Sequence, residues 1–138
     1  MSDWWQWSPI KANQKLGFAV VGIGRFGSAV CRELLRNGAD VLAVDFSEKA
    51  IEELRQLEPT IEARVVDSTD EESMKEAGVL EMGTVVVGIS EPIEASITTT
   101  LIAKDTEGSL VKQVIARATS DLHEKMLKRV GADRVVFP

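Results

Sequence analysis

Six short apolar runs alternate with helical stretches along most of the chain, and that alternation leaves few folds open. The runs are FAVVGI (18–23), DVLAVD (40–45), EARVVD (62–67), TVVVGI (84–89), KQVIARA (112–118) and DRVVF (133–137). Each except the last is followed by a segment with helical spacing: 28–38, 47–57, 69–79, 92–105 and 120–131. Strands with continuous apolar character belong to a parallel sheet buried on both faces. The connections are short, so each crossover is right-handed. The expected class is α/β, a doubly wound six-stranded parallel sheet with helices on both faces. Boundary residues agree with these segments. Gly38 and Gly131 read as helix stops, and Ser47 and Ser120 as N-caps. Thr69 with Glu72 reads as a capping box, and Pro92 suits the first position of a helix.

The first strand runs into FAVVGIGRFGSAV, where Gly22, Gly24 and Gly27 form G-x-G-x-x-G. Alone this pattern is weak. Between a strand and a helix, with an acid ending the next strand, it marks a Rossmann-like phosphate loop. Gly22 permits the tight turn, Gly24 admits the phosphates to the backbone, and Gly27 lets the helix pack close to the sheet. The helix N-terminus then presents N–H groups and partial positive charge to an anion. Ile23 and Phe26, between the glycines, are counted with the site.

Asp45 lies 23 residues after Gly22, where an acid accepts from ribose hydroxyls and repels a 2′-phosphate. Phe46 adjoins it. Asp67 has two readings, an acceptor for an adenine amino group or a cap for the helix near Thr69, with Ser68 offering backbone contacts. Arg25, at the start of the phosphate helix, favours ATP or ADP over a dinucleotide, because a triphosphate carries more charge than the helix end neutralises. A surface ion pair is the plainer alternative. Gly88, Ile89 and Ser90 end the fourth strand, where backbone contact with a ligand is expected. Arg117 ends the fifth and reaches a phosphate, a partner subunit or a structural acid.

The 138 residues suit one domain, and 22 acidic against 16 basic side chains give a net charge of −6. That balance argues against a nucleic-acid partner or a polybasic membrane anchor. The single cysteine, Cys31, builds neither a disulfide framework nor a zinc cluster and fits a reducing cytosol. No apolar run is long enough to cross a bilayer. Residues 1–17 carry Trp4, Trp5 and Trp7 without periodicity and read as a flexible tail or a docking tail. His123, the only histidine, sits on a charged helix and reads as a surface residue. The hydroxyl-rich SITTT (96–100) suits a close helix contact, internal or in a dimer. With no tyrosine in the chain, the acid–base set of an NAD-dependent oxidoreductase is not apparent.

FAVVGIGRFGSAVCRELLRNGADVLAVDFSEKAIEEL, VVDSTDEESMKEAG, EASITTTLIAK, VIARA and GADRVVFP together resemble the RCK or KTN domains. These are the TrkA-N-like regulators of potassium conductance, and the Ktr-type cytosolic gating subunits look most similar. The resemblance covers Phe18 to Pro138. It implies a nucleotide-binding N-lobe that forms a homodimer, commonly within an octameric ring, beneath a membrane-embedded potassium-translocating subunit. It implies a regulatory rather than enzymatic role, on the cytoplasmic face of the plasma membrane, with ATP, ADP, NAD or NADH in the crevice. Carried over by motif, Gly22, Gly24, Arg25 and Gly27 meet the phosphates and Asp45 holds the ribose. Asp67 and Ser68 face the adenine, and Arg25 senses the γ-phosphate. Family members usually continue past GADRVVFP into a second lobe, so the chain reads as an N-lobe. The alternatives are the NAD-binding half of an oxidoreductase and a soluble redox sensor.

Overall fold

The computed structural model describes residues 17–137. Apart from Gly17, the expected tail lies outside the described residues. The apolar runs form β1 (Phe18–Val21), β2 (Val41–Asp45), β3 (Glu62–Val65), β4 (Thr84–Val87), β5 (Gln113–Arg117) and β6 (Arg134–Val136). They make one sheet in the order β3-β2-β1-β4-β5-β6, with every adjacent pair parallel. The helices are α1 (Arg25–Arg36), α2 (Glu48–Leu57), α3 (Glu71–Ala77), α4 (Ile93–Asp105) and α5 (Asp121–Arg129), with a 3-10 turn at Val79–Glu81. This is the expected doubly wound class, and the order reverses between β1 and β4.

Successive strand residues point to opposite faces, so the core divides in two. Phe18, Val20, Val41 and Ala43 pack with Val30 and Leu34 of α1 and with Ile51 and Leu54 of α2. Ala19, Val21, Leu42 and Val44 pack on the other face with Met74 of α3, Ala103 of α4 and Leu127 of α5. Leu34 and Leu54 are each 1% exposed, so truncating either to alanine costs about 2–5 kcal/mol.

Several sequence expectations are corrected. The six strands are not uniformly buried. In β3 only Ala63 is buried, and β6 is half-exposed throughout, because edge strands have one neighbour and incomplete helix cover. The N-cap of α3 is Asp70, not Thr69: Asp70 Oδ2 accepts from Ser73 N at 3.0 Å and Ser73 Oγ at 2.6 Å. A carboxylate caps the positive helix end well, and D-x-x-S one residue later displaces T-x-x-E. The Ser73 hydroxyl, then its amide, holds the Asp70 carboxyl below the usual range. Pro92 is itself the N-cap of α4 rather than its first helical residue.

His123 is not a surface residue. It is fully buried, on the inward stripe of α5 with Leu127 one turn later. Its Nε2 lies 2.7 Å from Ser96 Oγ, and its Nδ1 accepts from Thr119 N at 3.1 Å. Nδ1 therefore lacks a proton and Nε2–H donates to Ser96, which in turn donates to Ile93 O at 2.8 Å. The charged residues of α5 mask this inward position in the sequence. The contact made by SITTT is internal: Ser96, Thr99 and Thr100 are buried, and Thr99 Oγ1 meets Ser68 Oγ at 2.7 Å.

Candidate functional site

Val21, Val44, Val87 and Ala116 lie in one registered row across the four central strands. The next residue on each strand is Gly22, Asp45, Gly88 and Arg117. All four line a cavity of about 740 Å³ at the carboxyl edge of the sheet. That volume suits a nucleotide-sized ligand rather than a bare ion, and the crevice sits at the switch point of the strand order. Among the described residues no cluster of histidine, cysteine, aspartate or glutamate is suited to a metal.

The glycine loop shows three separate constraints. Gly22 has φ +98°, and a Cβ there would stand 2.8 Å from Ile89 N. A Cβ on Gly27 would run into Gly22 O, so α1 packs against the loop only because that position is bare. A Cβ on Gly24 would meet nothing within 4 Å, so the fold itself does not demand glycine there. Gly24 lines the open side of the cavity, where a ligand would approach the backbone.

Gly24 is also the N-cap of α1, with no side chain to cap it, and the first helical bond runs from Ser28 N to Gly24 O at 2.9 Å. The helix dipole therefore opens into the cavity. The other four α-helices carry an acid in their first turn: Glu48, Glu71 and Glu72, Glu94, and Asp121 with Glu124. Helix α1 has none and begins with the exposed Arg25. An acid would repel an anion at this end, while Arg25 adds to its attraction.

Asp45 is tied into the loop. Its Oδ2 accepts from Ile23 N at 2.6 Å and its Oδ1 from Ser47 N at 2.8 Å. Phe46 beside it is 76% exposed and lines the same cavity. Asp67 Oδ1 accepts from Thr69 N at 3.0 Å and Thr69 Oγ1 at 2.6 Å, which shapes the turn before α3 without capping that helix. Asp67 and Ser68 line the cavity, but the Ser68 hydroxyl turns inward to Thr99 Oγ1 at 2.7 Å and its carbonyl also accepts from Thr99 Oγ1 at 3.2 Å.

The structure thus brings Gly22, Ile23, Gly24, Arg25, Asp45, Phe46, Asp67, Ser68, Ile89, Ser90 and Arg117 to one cavity. Phe26 and Gly27 lie beneath it, buried. Thr69, Glu91, Pro92 and Ala95 also line the wall and were not counted with the site from the sequence, where Thr69 and Pro92 were read only as helix-start residues. They follow Ser68 and Ser90 directly or open α4, so extending each strand-end segment by a few residues would have found them. Neither His123 nor Cys31 lines the cavity. Cys31 is buried in the α1 core, and desolvation, with the Glu58 charge second, pushes its thiol up to about 12.

The sequence profile of the TrkA-N domain matches residues 18–138. The chain belongs to the TrkA-N family. Its relatives include Ktr system potassium uptake protein C of Bacillus subtilis (strain 168), 40% identical over 90% of this chain and 54% of that protein. This TrkA-N chain spans about half the length of the curated relatives it matches. Among solved structures, the TrkA-N domain of the inner membrane protein ybaL from Escherichia coli aligns at TM-score 0.76 and 24% identity, over 88% of this chain and 87% of that one. The GsuK channel bound to NAD aligns at TM-score 0.73 and 18% identity, over 87% of this chain and 21% of that one. The same channel also has a structure bound to ADP. At these identities the structural likenesses speak to the TrkA-N fold.

Proposed function

We propose that this chain is the nucleotide-sensing lobe of a cytosolic regulatory subunit in a potassium uptake system. The observation that carries the reading is the uncapped, acid-free N-terminus of α1 opening onto the cavity across from Asp45. That pairing suits a phosphorylated nucleoside: the helix end and Arg25 take the phosphates, and Asp45 takes the ribose. The potassium link rests on the Ktr relatives, whose names state potassium uptake. A channel of the same fold holds NAD in one structure and ADP in another, which supports a nucleotide in the crevice.

Arg25 favours ATP and ADP, with NAD or NADH as the alternative occupants. Sensing needs only differential affinity: a ligand that binds one arrangement of the assembled subunits better shifts the population toward it. The γ-phosphate of ATP, read by Arg25, supplies such a difference. The assembly is a homodimer, within an octameric ring in the complete protein, set against a membrane-embedded potassium-translocating subunit at the cytoplasmic face. The ionisable side chains lining the cavity are Arg25, Asp45, Asp67, Glu91 and Arg117. A regulatory rather than enzymatic role is the reading that the Ktr potassium uptake relatives support.

The test is a thermal-shift panel with ATP, ADP, AMP, NAD and NADH, repeated on Arg25→Ala. A ligand at about 100 times its Kd adds roughly 2.7 kcal/mol, several degrees for a domain of this size. ATP stabilising most, with its lead over ADP erased in Arg25→Ala, supports phosphate counting. A lead for NADH that Arg25→Ala leaves untouched overturns it in favour of a redox-reading site.

A further inference from the structure

Helix α5 carries two apolar stripes. His123 and Leu127 point inward and are buried. Leu122, Met126 and Val130 follow one another at i, i+4 and i+8 on a second flank. With Ile97 of α4 they line a groove of about 380 Å³, rimmed by Lys125 and Arg129. Leu122 is 67% exposed and Met126 39%, and Leu101, one turn past Ile97 on α4, is exposed as well. Neither Lys125 nor Arg129 belongs to any of the ion pairs among the described residues. On a chain with a net charge of −6, this is an apolar surface with a basic rim.

One segment of the chain fits such a surface. All three tryptophans, Trp4, Trp5 and Trp7, fall within residues 1–16, and the only acid there, Asp3, adjoins Trp4. Indole rings bury large apolar areas, their faces attract cations, and a carboxylate pairs with one. We propose that residues 3–7 dock in the α4–α5 groove of their own chain, with indole rings on Leu122 and Met126 and Asp3 at Lys125 and Arg129. The linking chain is long enough. The start of β1 lies on the edge of the sheet where α4 and α5 end. There Gly17 O accepts from Gly83 N at 3.2 Å, and Gly83 O accepts from Gln113 N at 3.1 Å. Asp133, just past α5, accepts from Val114 N at 2.7 Å and from Lys104 Nζ at 3.0 Å, which brings in the last turn of α4. Strands about 4.8 Å apart put the start of β5 roughly 10 Å from β1, and the helix layer over it is about 10–12 Å thick. The ten residues from Trp7 to Gly17 span up to about 33 Å, enough to reach the outer flank of α5. A second copy suits the groove less well. Two-fold pairing through this face would set Lys125 and Arg129 against their own counterparts, and like charges repel.

Intrinsic fluorescence of the full chain tests this. The chain has no tyrosine and no tryptophan outside residues 1–16, so the signal reads this segment alone. The unsubstituted protein is expected to emit at shorter wavelength than free tryptophan amide and to resist acrylamide quenching, equally at every protein concentration. Leu122→Glu with Met126→Glu is expected to abolish both differences. Lys125→Glu with Arg129→Glu, which keeps the apolar stripe, is expected to reduce them. Leu57→Glu, an exposed position on α2 away from the groove, is expected to leave them unchanged. Circular dichroism identifies the folded variants, and the two groove pairs decide independently. Emission like that of free tryptophan amide from the unsubstituted protein overturns the proposal. So does shielding that survives either groove pair in a folded variant. Shielding lost on dilution as a dimer dissociates also overturns it and assigns the groove to a second copy.

Discussion

Asp45 Oδ2 accepts a hydrogen bond from Ile23 N at 2.6 Å, joining the end of β2 to the glycine loop that follows β1. The carboxylate expected to hold a ribose also holds the loop that meets the phosphates. One residue sets the distance between the two halves of the ligand site. Asp45→Asn is therefore expected to cost about 1–2 kcal/mol of stability, through a weaker bond to the loop. It is also expected to reduce discrimination against a 2′-phosphate, since the repelling charge is gone. Denaturant unfolding and paired titrations with NAD and NADP check both effects. Unaltered stability together with an unaltered NAD-to-NADP ratio counts against the dual role.

Gly24 and Gly27 separate binding from folding. Gly24→Ala adds a methyl group where no protein atom lies within 4 Å, so its cost is expected to stay below about 1 kcal/mol, the loss of a glycine N-cap. Nucleotide affinity is expected to fall at least about tenfold, as the methyl group keeps phosphates from the backbone. Gly27→Ala drives a methyl group into Gly22 O and is expected to cost about 2–3 kcal/mol with or without ligand. Melting curves of both variants, with and without ATP, show whether the two effects divide in this way.

His123 makes stability depend on pH. Burial lowers its pKa from the ordinary 6.5, so the folded state holds it neutral. Its neighbours Ser96, Thr119 and Ser120 bring no charge to the ring. Above the unfolded-state value the group costs nothing. As pH falls below about 6.5 and through the lowered folded value, the unfolded chain binds the proton first and stability is lost. Chemical denaturation at pH 7.5 and 5.5 is expected to show a drop that shrinks in His123→Gln. An equal drop in both proteins removes histidine as its source.

Cys31 is expected to be inert. It is fully buried and its thiol is raised to about 12, so almost no thiolate exists at neutral pH. A thiol reagent should label the unfolded protein rapidly and the native protein only as fast as the α1 face opens. Rapid native labelling contradicts the packing described for α1.

The parts of the fold that depend on repetition were legible in the sequence. Continuous apolar strands such as TVVV and the G-x-G-x-x-G loop specify their surroundings locally. Features that depend on competition between neighbours were not. Asp70 takes the cap of α3 from Thr69 because two overlapping motifs offer acceptors and the carboxylate prevails. His123 hides on a helix rich in charged residues, and its partner Ser96 lies on another helix, 27 positions away. The crevice followed the same division. Asp45 was readable from its distance to Gly22, whereas the stacking of Arg117 on Phe26 joins residues 91 positions apart and has no local signal.

The central claim is that the N–H groups at the start of α1 hold phosphates, and amide hydrogen exchange with saturating ATP reads those groups directly. Slower exchange concentrated in residues 23–28, with a smaller effect beside Asp45 and none along α5, is the result this account predicts. Exchange in residues 23–28 that ATP, ADP, NAD and NADH all leave unchanged would contradict it.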